Sequence, residues 1–165
     1  MAEIQTINIG SSANDGTGDT IRAGMDKVND NFANFKIEGT NFTGSVLIGH
    51  STTGTLNSSQ NNTGVGIQAL KNITQGDNNV AIGKNAGGNI NSGSQNIILG
   101  SSAGDALTNG SSNIAIGYVA LTTEDGHGRN IAIGNQALLV QNAGQDAYNI
   151  AIGYDAGKSV TTGLF

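Results

Sequence analysis

Seven short apolar segments of this chain end in glycine, at Gly49, Gly66, Gly83, Gly100, Gly117, Gly134 and Gly153. The first five intervals are 17 residues and the last is 19. Five segments are nearly identical: Asn79-Val-Ala-Ile-Gly83, Asn96-Ile-Ile-Leu-Gly100, Asn113-Ile-Ala-Ile-Gly117, Asn130-Ile-Ala-Ile-Gly134 and Asn149-Ile-Ala-Ile-Gly153. Three residues past the glycine an alanine returns, as Ala69, Ala86, Ala103, Ala120, Ala137 and Ala156. Seven residues past it come Leu56, Ile73, Ile90, Leu107 and Val160, with Glu124 and Gln141 breaking the series in consecutive units. A register held this long means that each copy is one structural unit, stacked on its neighbours.

The unit reads as a short strand and a set of turns. In Asn-Ile-Ala-Ile-Gly the large residues alternate, so Ile114 and Ile116 face one side and Ala115 the other. β-Branched residues suit a strand. The glycine permits a bend or positive φ, and the compact alanine follows where space is tight. Polar turn formers such as Thr108-Asn-Gly-Ser-Ser-Asn113 complete the unit, leaving little room for a helix. One unit buries too few side chains to fold alone, whereas stacked units share a continuous core. Asn79, Asn96, Asn113, Asn130 and Asn149 recur at one place per turn and can form a hydrogen-bonded ladder. The seven units at about 4.8 Å per rung predict a rod section of roughly 35 Å.

Composition agrees. Glycine accounts for 26 of 165 residues, charged residues for 12% and aromatics for 4%, with no Pro, Cys or Trp. Such a chain cannot build a thick conventional core. Two irregularities stand out within the repeats. The extra residues between Gly134 and Gly153 are expected to form a bulge around Leu139 to Ala147, and Glu124 and Gln141 to mark a widened or water-facing corner.

The N-terminal part is organised differently. Asn14-Asp-Gly-Thr-Gly-Asp19 is a turn cluster from which Asp19 or Thr20 can cap a helix. Ile21, Met25, Val28, Phe32 and Phe35 then recur at spacings 4, 3, 4 and 3, an a/d stripe that predicts a helix over 20–35. A helix so short needs outside burial, which self-association along that stripe, docking against another protein or folding back on the first β-rung would supply. Residues 37–45 read as a linker. The organisation is therefore an N-terminal segment, 1–40, and a β-repeat shaft, 41–165.

The net charge of −5 and pI near 4.6 exclude a basic nucleic-acid footprint. Apolar runs of four or five residues are far too short for membrane insertion. The two histidines, His50 and His127, with no cysteine, give no standard zinc set, and both read as turn residues. Glu124 and Asp125 are adjacent in a loop and do not make a catalytic acid pair. Gly153-Tyr-Asp-Ala-Gly-Lys-Ser159 is one residue short of a phosphate loop. No catalytic residue, metal or cofactor is expected.

Two stretches resemble a known family. Thr6-Ile-Asn-Ile-Gly-Ser-Ser-Ala-Asn-Asp-Gly-Thr-Gly-Asp-Thr-Ile-Arg-Ala-Gly-Met-Asp-Lys-Val-Asn-Asp-Asn-Phe32 resembles an N-terminal motif of tailed-bacteriophage structural proteins. The Asn-Ile-Ala-Ile-Gly units resemble repeats of phage tail-fibre shafts and, more distantly, the heads of trimeric autotransporter adhesins. The resemblance implies an all-β fold: a β-solenoid or β-prism shaft assembled as a parallel homotrimer behind a short helical segment. It further implies that Asp15, Gly16, Gly18, Asp19, Arg22, Asn29, Asn31 and Phe32 form an attachment element to other virion proteins of the tail, neck or baseplate. The seven glycines and the asparagines before them would be structural anchors. Localisation on the virion and contact with a host surface receptor follow from the same likeness. A bacterial adhesin head fragment is the alternative.

Overall fold

A computed structural model of the chain describes residues 35–39, 42–49 and 57–163. The attachment element and the stripe residues Ile21, Met25, Val28 and Phe32 lie outside the described residues. Phe35, the last residue of the stripe, opens a strand.

The described chain is all-β and forms one nine-stranded sheet. Strand β1 (Phe35–Gly39) pairs antiparallel with β2 (Phe42–Ile48). The two-residue β3 (Ser59–Gln60) pairs with the start of β2. From β2 the sheet continues in parallel through β4 (Thr63–Val65), β5 (Val80–Ile82), β6 (Ile97–Leu99), β7 (Ile114–Ile116), β8 (Ile131–Ile133) and β9 (Ile150–Ile152). Each strand takes its neighbour one unit along the chain, so Ile82, Leu99, Ile116 and Ile133 stand in line. The result is a parallel β-solenoid of about six turns, each closing on the core of its own chain.

The linker expected over 37–45 is instead mostly strand: β1 and β2 pair there and cap the first edge of the stack. Gly39-Thr-Asn41 is a turn signal between two β-rich runs, and an antiparallel partner gives the outermost parallel strand its backbone hydrogen bonds.

Each turn is bent by four left-handed backbone positions. Around β6 these are Gln95 before the strand and Gly100, Ser102 and Gly104 after it, and the same four columns recur in the described turns that follow. Only the Gly100 column, with φ between 104° and 139°, excludes a side chain outright. A Cβ on Gly66 or Gly83 would lie 2.6 Å from the carbonyl oxygen of the next glycine in the column. The other corners hold ordinary residues, even Val119 and Leu121, because turn-to-turn hydrogen bonds fix the backbone on either side.

The core is narrow and layered. Its columns are the strand centres (Leu47, Ala81, Ile98, Ala115, Ala132), the alanines three past each glycine, the fourth-position residues Leu70, Leu121 and Leu138, and the series Ile73, Ile90, Leu107. Size is traded within a turn. Gly64 at a strand centre faces Leu70, Ile98 faces Gly104, and Ala115 faces Leu121.

A candidate docking face and the buried polar columns

Strand alternation decides which residues look outward. The coil is too thin for two β-branched side chains per strand, so the central alanine goes inward and the flanking pair outward. Val80, Ile97, Ile114, Ile131 and Ile150 form one outer column, and Val65, Ile82, Leu99, Ile116, Ile133 and Ile152 the other. Ile82 and Ile97 are 45% and 41% exposed, and Ile150 and Ile152 are 69% and 67% exposed. The two columns make an apolar strip running across the six parallel strands β4 to β9, roughly 24 Å at about 4.8 Å per step. The residues of this strip are half-buried to exposed and contiguous, unlike singly scattered surface hydrophobics.

Inside the same turns the asparagines form an unbroken ladder. Asn79 donates from its backbone N and from Nδ2 to Asn62 Oδ1, at 2.9 and 3.0 Å. Asn96 does the same to Asn79, at 3.0 and 3.0 Å. Asn113 N donates to Asn96 Oδ1 at 2.9 Å, Asn130 N to Asn113 Oδ1 at 3.0 Å, and Asn149 N to Asn130 Oδ1 at 3.3 Å. Each Nδ2 hydrogen left over points across the turn: Asn62 to Gly76 O, Asn79 to Gly93 O, Asn96 to Gly110 O and Asn113 to His127 O. Each amide nitrogen and oxygen of Asn62, Asn79, Asn96, Asn113 and Asn130 thereby has at least one partner, which is the condition for tolerating them in a core. Asn62, whose segment departs from the repeated sequence, belongs to the ladder although the repeat pattern alone did not include it.

Glu124 and Gln141 depart from expectation. Neither faces water; both side chains are fully buried in the column that Ile73, Ile90 and Leu107 occupy below them. Gln141 Nε2 donates to Glu124 Oε2 at 2.9 Å. Glu124 Oε1 accepts the backbone N–H of His127 at 3.2 Å and lies 3.3 Å from His127 Nδ1. The polar pair is held inside by the one bond between its stacked side chains, which leaves Gln141 Oε1 without a donor. The extra residues of the last interval fall nearby, where Arg129 reaches Asp146 Oδ2 at 2.8 Å and sits over the Tyr148 ring.

On another face Asn72, Thr74, Asn89, Asn91, Thr108 and Asn109 line a shallow groove of about 560 Å³. Its polar groups are joined row to row, as in Thr74 Oγ1 to Asn91 Oδ1 at 2.7 Å and Ser92 Oγ to Asn109 Oδ1 at 2.8 Å. Among the described residues no helix is long and apolar enough to cross a membrane.

The profile of a family described as quinohemoprotein amine dehydrogenase, alpha subunit domain III, matches residues 23–90, less than half of the chain. No curated protein and no solved structure matches.

Proposed function

We propose that this chain is a rigid structural component of a tailed-bacteriophage virion, a short fibre or whisker. Three copies lie in parallel and the N-terminal segment attaches them to other virion proteins. The observation that carries the reading is the strip of paired, outward-facing aliphatic side chains, mostly isoleucines, repeated at one place on every turn. Packing three such strips against one axis removes them from water and keeps every chain in the same register, since each presents the same residue at the same height. The likeness of Thr6–Phe32 to the phage N-terminal motif supplies the attachment role. The function is mechanical: a stiff rod built from continuous backbone ladders extends from the particle and contacts the host surface. A bacterial trimeric adhesin head would share the same three-chain packing and differ in what holds its base.

Sedimentation of the full chain tests the assembly, with a stable trimer expected and a monomer at micromolar concentration rejecting it. Deletion of residues 1–36 tests the attachment. The shaft should stay soluble while incorporation into particles is lost, and normal incorporation of the deletion would reject the anchor.

A further inference from the structure

We propose that Glu124, Asp125 and His127 form a binding site for one divalent first-row transition ion of the zinc type. One donor atom from each of the three residues lies within 4.8 Å of the others. Two carboxylates and an imidazole are the donor set that such an ion accepts, whereas calcium or magnesium would favour oxygen alone. The separation of Glu124 Oε1 and His127 Nδ1, 3.3 Å, also fits. Two bonds of about 2.0–2.1 Å meeting at a tetrahedral angle place their donor atoms about 3.3–3.4 Å apart.

The repeat sharpens the inference. In the preceding turn the equivalent residues are Leu107 and Gly110, and a Cβ on Gly110 would come 2.8 Å from Leu107 Cδ2. Two turns before that, Ile73 Cδ1 lies 2.8 Å from a Cβ on Gly76. An apolar side chain and a glycine thus share one space in those turns. In this turn both positions change together, to a carboxylate and an imidazole that meet in that space.

The next turn adds a buried polar side chain against the cluster. Gln141, fully buried in the next turn, uses its amide nitrogen on the Glu124 carboxylate, and its Oε1 has no hydrogen-bond donor. The buried Glu124 carboxylate is held by the neutral donors Gln141 Nε2 and His127 N, and a cation would supply the opposite charge. The way in is open: a Cβ on Gly126, between the donors, would meet nothing within 4 Å. Asp125 is exposed and His127 part-exposed, so the ion would enter from the solvent side and close the turn against the buried carboxylate.

The test is titration of the tag-free full chain with Zn²⁺ by calorimetry, with Co²⁺ as a spectroscopic probe. One equivalent per chain is expected, with Co²⁺ d–d bands that report nitrogen and oxygen donors. His127→Ala should weaken Zn²⁺ binding by about 100-fold or more and abolish the bands. Glu124→Gln, which keeps the side-chain shape, should weaken it at least about tenfold. His50→Ala should leave it unchanged. Absence of saturable binding overturns the proposal, and so does binding that survives His127→Ala or is lost with His50→Ala. The site lies within one chain, so a monomeric protein would reject the trimer and leave this result readable.

Discussion

Ile98 Cδ1 stands 3.0 Å from the point that a Cβ on Gly104 would occupy, so the two residues share one space in the core. The same two positions one turn later hold Ala115 and Leu121, and two turns later Ala132 and Leu138. In these three turns a large strand residue is matched by a glycine and an alanine by a leucine, whereas Ala81 in the preceding turn stands with Gly87, where Ile90 fills the space. Leu121 and Leu138 take this corner at φ of 51° and 49°, beside 53° for Gly104, so the backbone already accepts leucine there. Ile98→Ala alone should cost about 2–4 kcal/mol through the cavity it leaves. Gly104→Leu alone should cost about 1–3 kcal/mol by overpacking. The double variant recreates the neighbouring turns and should recover at least about 1 kcal/mol relative to the sum, read from a urea-unfolding cycle.

The asparagine ladder predicts a cost out of proportion to the size of the side chain. Asn96→Ala removes the donors to Asn79 Oδ1 and Gly110 O and the acceptor of the Asn113 N–H. Two of those partners are left in a dry layer, and the expected loss is about 2–4 kcal/mol. Asn96→Asp should cost at least as much, because a carboxylate cannot donate to either acceptor. Chemical denaturation of the two variants checks the order.

On the outer strip, substitutions should act on assembly more than on folding. Ile82→Asp combined with Ile116→Asp places the charges two rungs apart, about 9.6 Å, which limits their mutual repulsion. Folding of the single chain should weaken by about 1–2 kcal/mol from lost strand propensity. The proposed trimer should dissociate to a folded monomer, seen as a drop in sedimentation coefficient with an unchanged β-type circular dichroism spectrum. A trimer that persists would place the contact elsewhere.

Asp105 predicts a pH effect. Burial pushes its carboxyl above the ordinary carboxylate value, and the Lys71 charge opposes this only in part. A carboxyl whose folded pKa is raised binds its proton more tightly in the folded state. Its contribution is therefore fully present below the unfolded pKa and lost as pH rises through the folded one. Asp105→Asn should flatten this loss, so the variant gains on the wild type as pH rises from the acid side to neutrality. Thermal melts at a series of pH values would show the two curves diverging upward through the mildly acidic range.

The repeat, its strand and its glycine corner were readable because a solenoid writes the same contact at a fixed chain distance. Alternation in Asn113-Ile-Ala-Ile-Gly117 separated Ile114 and Ile116 from Ala115, but alternation has no sign. Which side lay inward was set by the width of the coil, a property of the closed turn and not of any five residues. The corners at Val119, Leu121 and Leu138 gave no local signal, since their positive φ is imposed by hydrogen bonds from the turns above and below. Glu124 and Gln141 read as a wet corner because each was weighed against an apolar series. Their burial comes from pairing with each other across a turn. The sign available in the sequence was the joint change at 124 and 127, where the Ile–Gly or Leu–Gly of other turns becomes Glu–His.

Because every turn offers its successor the same carbonyls, the same asparagine oxygen and the same bare glycine, a cut between units has matching backbone ends wherever it does not part Glu124 from Gln141. Unequal crossing-over between copies would add or remove whole steps of about 4.8 Å while the girth stayed constant. Length in such a molecule becomes a countable trait, adjustable by recombination without redesigning a single contact.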